Sequence, residues 1–224
     1  MTEFPSFLFG HRILENVDDY TYLGVIFNYN GSFDKAIAKQ ILQGKRAFYA
    51  LLARVKKLRI PIDIALELFN HMVLPILLYG SEIWGFQNIT QIEVLYRKFL
   101  KCLLHVNSNT PNVMVYGETS THPIEIHVVT RMITFYMRIL NGKQNKLSTI
   151  MFTLLKRKMS YDDSFMSKWI SMVKLQLESI GLMDLWTFSG CGLTTDHVKE
   201  MVKLRLNDQF KQKWYVDMRE HEFW

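Results

Sequence analysis

From Phe33 to Leu58 apolar residues return every three or four positions, the spacing that lines up one side of an α-helix. At about 100° per residue, Phe33, Ile37, Ile41, Phe48, Leu51, Leu52, Val55 and Leu58 share one face. The pattern predicts a single long helix with a buried stripe, capped at its start by Ser32 or Asp34. Upstream the rhythm changes. The stretch "FLFGHRILENVDDYTYLGVIF" holds two runs rich in aromatic and β-branched residues, Phe7 to Leu14 and Tyr20 to Phe27, split by the polar "ENVDD". These read as the two strands of one β-hairpin with its turn in the polar cluster.

Downstream the helical spacing persists. A second helix is expected from Pro61, which suits a first helical turn, to a kink or break at Pro75, and a third from Gln91 to Val106. Further helical patterns cover about Thr121 to Leu140, Ser164 to Ile180 and Thr194 to Trp214, with Asn141-Gly142, Gly181 and "SGCG" as stops between them. The loop "NSNTPN" at 107–112 is read as a boundary. The expected fold class is therefore mainly α: an N-terminal β-hairpin (1–30), a multi-helix region (31–106) and a helical C-terminal region (107–224).

Composition supports a folded chain, since 49% of the 224 residues are apolar. No secretory signal is visible, so an intracellular setting is expected, where Cys102 and Cys191 would stay reduced. The most apolar run, Met72 to Phe86, is too short for a spanning helix and contains Pro75 and Glu82, which argues for buried core and against a membrane partner.

Charge changes the picture more. The net charge of +6 favours anionic partners, and its placement on the first long helix is uneven. Between residues 34 and 59 there are eight Lys or Arg and one acid, Asp34. The face opposite the apolar stripe carries Lys35, Lys39, Lys45, Arg46, Arg54, Lys56 and Lys57. A solvated helix face usually mixes signs; this one does not, which makes it a candidate surface for phosphate contact.

Two short motifs suggest catalysis or metal binding and do not carry it. Tyr161-Asp162-Asp163 looks like the carboxylate pair of a polymerase, which must sit on a tight strand-turn-strand and share two metals with a third carboxylate. Here the aspartates precede an amphipathic helical run and are read as its cap. Cys102 and His105, with His122 and His127 further on, have zinc-like spacing, but Cys102 lies within an apolar helix and is read as buried and inert. No catalytic residue and no metal ligand is assigned, and no cofactor is expected in this chain.

Several ordered motifs then resemble one family. "DDYTYLGVIFNYNGSF" resembles the Y-x-YLG hairpin and thumb entrance of reverse transcriptases from non-LTR (LINE-type) retrotransposons. "LFNHMVLPILLYGSEIWG" is similar to that family's L-P-x-L-x-YG-x-E-x-W thumb segment, and "ETSTHPIEIHVVTRMITFYMRIL" to its post-thumb helix. The resemblance covers nearly the whole chain. It implies the end of the palm, the thumb and the post-thumb helices of an RNA-directed DNA polymerase, with the catalytic carboxylates upstream of anything present here.

From that resemblance the hairpin around Tyr22, Leu23 and Gly24 would support the primer terminus, and the thumb helix would track a template-primer backbone through Lys35, Lys39, Lys45, Arg46, Lys56 and Lys57. The implied partners are RNA, DNA or their hybrid, and missing polymerase domains acting in trans. Magnesium is implied only for the full-length family enzyme, and this chain alone is not expected to polymerise. The residues by themselves leave open a helical interaction or scaffold module, or a relic without function.

Overall fold

The two extended runs at the N-terminus each fold back on themselves. In the computed structural model, which describes residues 7–87, 89–143, 146–161, 167–187 and 192–221, β1 (Phe7–Phe9) pairs antiparallel with β2 (Arg12–Leu14). β3 (Asp19–Tyr22) pairs separately with β4 (Val25–Asn28). The single hairpin expected with its turn at "ENVDD" is thus replaced by two. The reason is turn chemistry inside each run. Gly10 supplies a φ of 60° between β1 and β2, and Leu23 and Gly24 supply 46° and 85° between β3 and β4. Two successive positive φ values make the type I′ turn whose twist matches a hairpin, whereas "ENVDD" is only a connector.

The long helix forms as its periodicity predicts. α1 (Asp34–Leu58) buries Ile37, Ile41, Phe48, Leu51, Leu52 and Val55. Leu58, also expected on the apolar face, is 67% exposed because the helix ends there, with Arg59 in a left-handed cap. Capping at the start comes from Ser32, one residue ahead of the N-cap, whose Oγ accepts the Asp34 N–H at 3.1 Å. Gly44 sits mid-helix, where a glycine weakens the helix by about 1 kcal/mol relative to alanine. A Cβ at that position would overlap the buried Leu77 side chain, so the missing methyl lets the next layer approach.

That layer is the apolar run from Met72 to Phe86. α2 (Ile62–Met72) starts after Pro61 and stops before Pro75, which reappears in the first turn of α3 (Leu74–Leu77). α4 (Ser81–Trp84) follows, with Trp84 fully buried and its Nε1 donating to Tyr79 O at 2.9 Å. α5 (Thr90–Leu103) closes the group. Phe48 of α1, Phe69 of α2 and Phe99 of α5 meet in one aromatic cluster, Phe69 and Phe99 stacked at 4.3 Å and Phe48 edge-on to Phe99 at 5.9 Å. All three are fully buried, and together they fix α5 beside α1.

The C-terminal part adds α6 (Asn112–Thr119), α7 (Ile124–Leu140), α8 (Leu147–Tyr161), α9 (Lys168–Ser179), α10 (Asp184–Thr187) and α11 (Thr195–His221). Of these, α6, α8 and α10 are not among the helices expected from the sequence. α7 is the central piece, and α4 and α11 are among the helices packed on it. Contacts cross the 107–112 loop: Arg131 donates to Leu78 O, Trp169 to Glu82 O and Trp214 to Val113 O. Buried side chains from Val25 to Val202 form one cluster. The architecture is mainly α, with two small antiparallel hairpins ahead of the helices.

Candidate nucleic-acid interface

The basic face of α1 divides into two halves with different duties. At its N-terminal half Lys35 forms an ion pair with Asp19 of β3, which also accepts Asn28 Nδ2 at 2.8 Å. These bonds hold the Asp19 carboxyl below its usual range, and Asp19 in turn holds the Lys35 ammonium above its own. Lys39 donates to Gly24 O at 3.0 Å, and Tyr79 Oη donates to Leu23 O at 2.6 Å. Gly24 also lies against the Tyr79 ring, where an added Cβ would stand 3.4 Å away.

Lys35 and Lys39 are expected among phosphate-binding residues, and Tyr22, Leu23 and Gly24 in a separate hairpin element. The structure brings the two sets together. Lys35 and Lys39 hold the β3–β4 hairpin against α1, and its turn is pinned from the other side by Tyr79. Tyr22 and Leu23 themselves point to solvent, at 56% and 72% exposure.

The C-terminal half of α1 carries exposed charge: Lys45, Arg46, Lys56 and Lys57. At about 100° per residue, Lys45, Tyr49 and Lys56 fall within about 40° of one another, while Arg46 and Lys57 lie roughly a quarter-turn or more further round. The Lys45–Tyr49–Lys56 line borders α5, because Lys98 of α5 donates to Tyr49 Oη at 3.1 Å and stands 5.4 Å from its ring centroid. That hydroxyl raises the Lys98 ammonium above its ordinary value.

Lys98 begins a second row of cations that reading one helix at a time had not joined to the first. A groove of about 500 Å³ along α5 is lined by Arg97, Lys98 and Lys101 together with Val94, Ser108 and Asn112. Lys101 donates to Ser108 O at 2.7 Å, and burial, then the Arg97 charge, lower its ammonium. A cleft of about 430 Å³ adjoins it through Cys102 and is lined by Lys56, Arg59 and His105. Neither wall contains an Asp or Glu. Arg59 and His105 occupy left-handed conformations at the ends of α1 and α5, so both helix termini bring a basic side chain to the same cleft.

The nearby carboxylate that is withdrawn from solvent is otherwise employed. Glu93 of α5 accepts the Tyr116 hydroxyl and the Ile124 N–H at 2.8 Å, capping the first turn of α7. Burial raises its carboxyl, and these bonds oppose the shift. Burial also raises the Tyr116 hydroxyl, helped by the Glu93 charge.

The zinc-like residues separate in the fold. Cys102 and His105 border the basic cleft, while His122 packs edge-on to Phe210 of α11 at 5.6 Å. Among the described residues no three His, Cys, Asp or Glu side chains gather as a metal site. Tyr161 ends α8, and Asp162 and Asp163, with the cap expected from them, lie outside the described residues, as does Cys191. No described helix is long and apolar enough to cross a membrane.

No family model matches the chain, and no curated protein and no solved structure matches it either.

Proposed function

We propose that the chain is the C-terminal part of a non-LTR-type reverse transcriptase, comprising palm end, thumb and post-thumb helices, whose own contribution is sequence-independent binding of an RNA–DNA template-primer. The observation that carries this reading is the run of basic side chains along the C-terminal half of α1 and the two adjoining clefts beside α5, whose linings hold no Asp or Glu, although Arg97 also faces Glu93 and Glu125 on its other side. Two helices presenting Lys45, Lys56, Arg97, Lys98 and Lys101 around a partly exposed Tyr49 offer several phosphate contacts and an aromatic face for a sugar or base. With no polymerase carboxylates assigned in the chain, it binds and positions; it does not carry out phosphoryl transfer by itself.

The test is fluorescence anisotropy of the purified chain with a short labelled RNA–DNA hybrid across a salt series. Binding should weaken steeply with salt. The Lys45→Glu/Lys56→Glu/Lys98→Glu variant should lose at least about tenfold in affinity and flatten the log–log salt slope by about three, one per lost phosphate contact. Unchanged affinity in that variant, with its helical circular dichroism intact, rejects the surface. A second reading, a helical interaction module, is favoured by the exposed apolar side chains of the N-terminal hairpins, and retention of the hybrid by the wild-type chain decides against it as the sole role.

A further inference from the structure

The N-terminal hairpins leave apolar surface that no described part of the chain covers. Every residue of β1 and β2 is exposed, Phe9 at 79% and Ile13 at 70%. Their register places Phe7, Phe9, Arg12 and Leu14 on one face and Leu8 with Ile13 on the other. A lone two-stranded ribbon is marginal in water, so one that is apolar on both faces calls for an occupant.

Charge indicates which occupant. Residues 7–14 contain His11 and Arg12 and no acid, whereas residues 15–29 contain Glu15, Asp18 and Asp19 and no Lys or Arg. Asp19 is offset by its ion pair with Lys35 of α1, so the negative sign of this segment rests on Glu15 and Asp18, which are exposed, as is Arg12. One chain therefore presents two adjoining apolar surfaces of opposite sign. That arrangement is self-complementary about a two-fold axis, where the basic ribbon of each copy meets the acidic segment of the other and the assembly closes at two.

Exposed apolar area points the same way. Ten large apolar side chains between Phe7 and Tyr29 are 48–79% exposed. At about 150–250 Å² for an aromatic and somewhat less for an aliphatic, they present on the order of 1,000 Å². A standard stable interface uses about 800 Å² per partner; because these side chains lie on both faces of the β1–β2 ribbon, one face meets the second copy with part of this area.

We propose that residues 7–29 form a homodimer interface in which the basic β1–β2 ribbon of one copy seats on the acidic 15–29 segment of a second copy. The surface lies apart from the basic groove of α5, and its test does not depend on nucleic acid. Sedimentation velocity of the full chain should give twice the 26.5 kDa chain mass. Arg12→Glu alone, or Glu15→Arg with Asp18→Arg, should each weaken the dimer by at least about tenfold, since each sets like charges face to face. An equimolar mixture of the two variants should recover the dimer, because the mixture restores opposite signs across the axis. A 26.5 kDa species at the highest soluble concentration overturns the proposal. So does a dimer indifferent to both variants, or open-ended association insensitive to charge.

Discussion

The N-terminal hairpins and the α1–α5 pair solve the same problem in opposite ways. Both begin as amphipathic chain with aromatic residues spaced to share a face. In α1 and α5 the aromatic faces find each other across Phe69 of α2, and Phe48, Phe69 and Phe99 disappear from solvent. What remains outside on the C-terminal half of α1 is charge of one sign. In β1–β2 the ribbon is too thin to bury anything, so Phe7 and Phe9 remain outside. A surface left charged suits a polyanion, and a surface left apolar suits another polypeptide. The partner class follows from which half of the amphipathic pattern the fold was able to hide.

The sharpest way to break this contrast is to truncate one aromatic on each side. Phe48→Ala should cost about 3–5 kcal/mol, the range for emptying a fully buried phenylalanine site, and should lower the urea midpoint in proportion. Phe9→Ala should change the stability of the monomer, measured below the concentration at which it dimerises, by no more than about 0.5 kcal/mol. Similar costs at the two positions in the monomer would mean that the hairpin packs against its own chain and the comparison is false.

The next effect concerns the close approach of α1 and α3. Gly44→Ala gains roughly 1 kcal/mol of helix propensity but forces a methyl into the Leu77 side chain. Overpacking of this kind costs about 1–3 kcal/mol, so the net change should be destabilising by about 1 kcal/mol. A stabilised Gly44→Ala variant in urea unfolding would show that Leu77 yields at no cost.

A smaller effect sharpens the division of labour along α1. Replacing Lys39 by Met and Tyr79 by Phe removes the two side-chain bonds to the β3–β4 turn, each worth about 0.5–1.5 kcal/mol net. Amide exchange of Val25, which pairs with Tyr22, should accelerate while exchange in the middle of α1 stays slow. Hybrid affinity should change little beside the Lys45/Lys56/Lys98 variant. If affinity falls as far, Lys39 contacts nucleic acid and is not reserved for the hairpin.

These cases also show what the sequence could reveal. The boundaries of α1 were legible because a 25-residue helix repeats its period many times. The hairpins were misread because turn propensity was assigned to the longest polar cluster, when positive φ at Gly10 and at Leu23-Gly24 decides where a ribbon reverses. α8 was overlooked although Leu147, Ile150, Met151 and Leu154 recur at helical spacing; the fold leaves that stripe exposed and buries only Phe152 of its fifteen residues. The basic groove was half legible. Lys45 and Lys56 stand out on one helix, but Lys98 and Lys101 join them only through the Phe48–Phe99 contact, which no single-helix period encodes.

The smallest predicted effect tests the packing of α11, whose Phe210 and Trp214 share a cleft with Arg97 of α5. His122 is half-buried against Phe210, and its imidazolium is disfavoured first by burial and then by the charges of Lys211 and Lys203. Its folded pKa therefore lies below that of the unfolded chain. Above about pH 6.5 the ring is neutral in both states and has no influence on the balance. As pH falls through that value the unfolded chain takes up the proton first, and stability declines until the folded ring also protonates. The melting temperature should drop slightly more between about pH 7 and pH 5.5 for wild type than for His122→Gln, with carboxylate effects common to both. Parallel pH profiles for the two proteins would mean that the ring is solvated in both states, and that α11 is held by Trp214 and its bond to Val113 without help from Phe210.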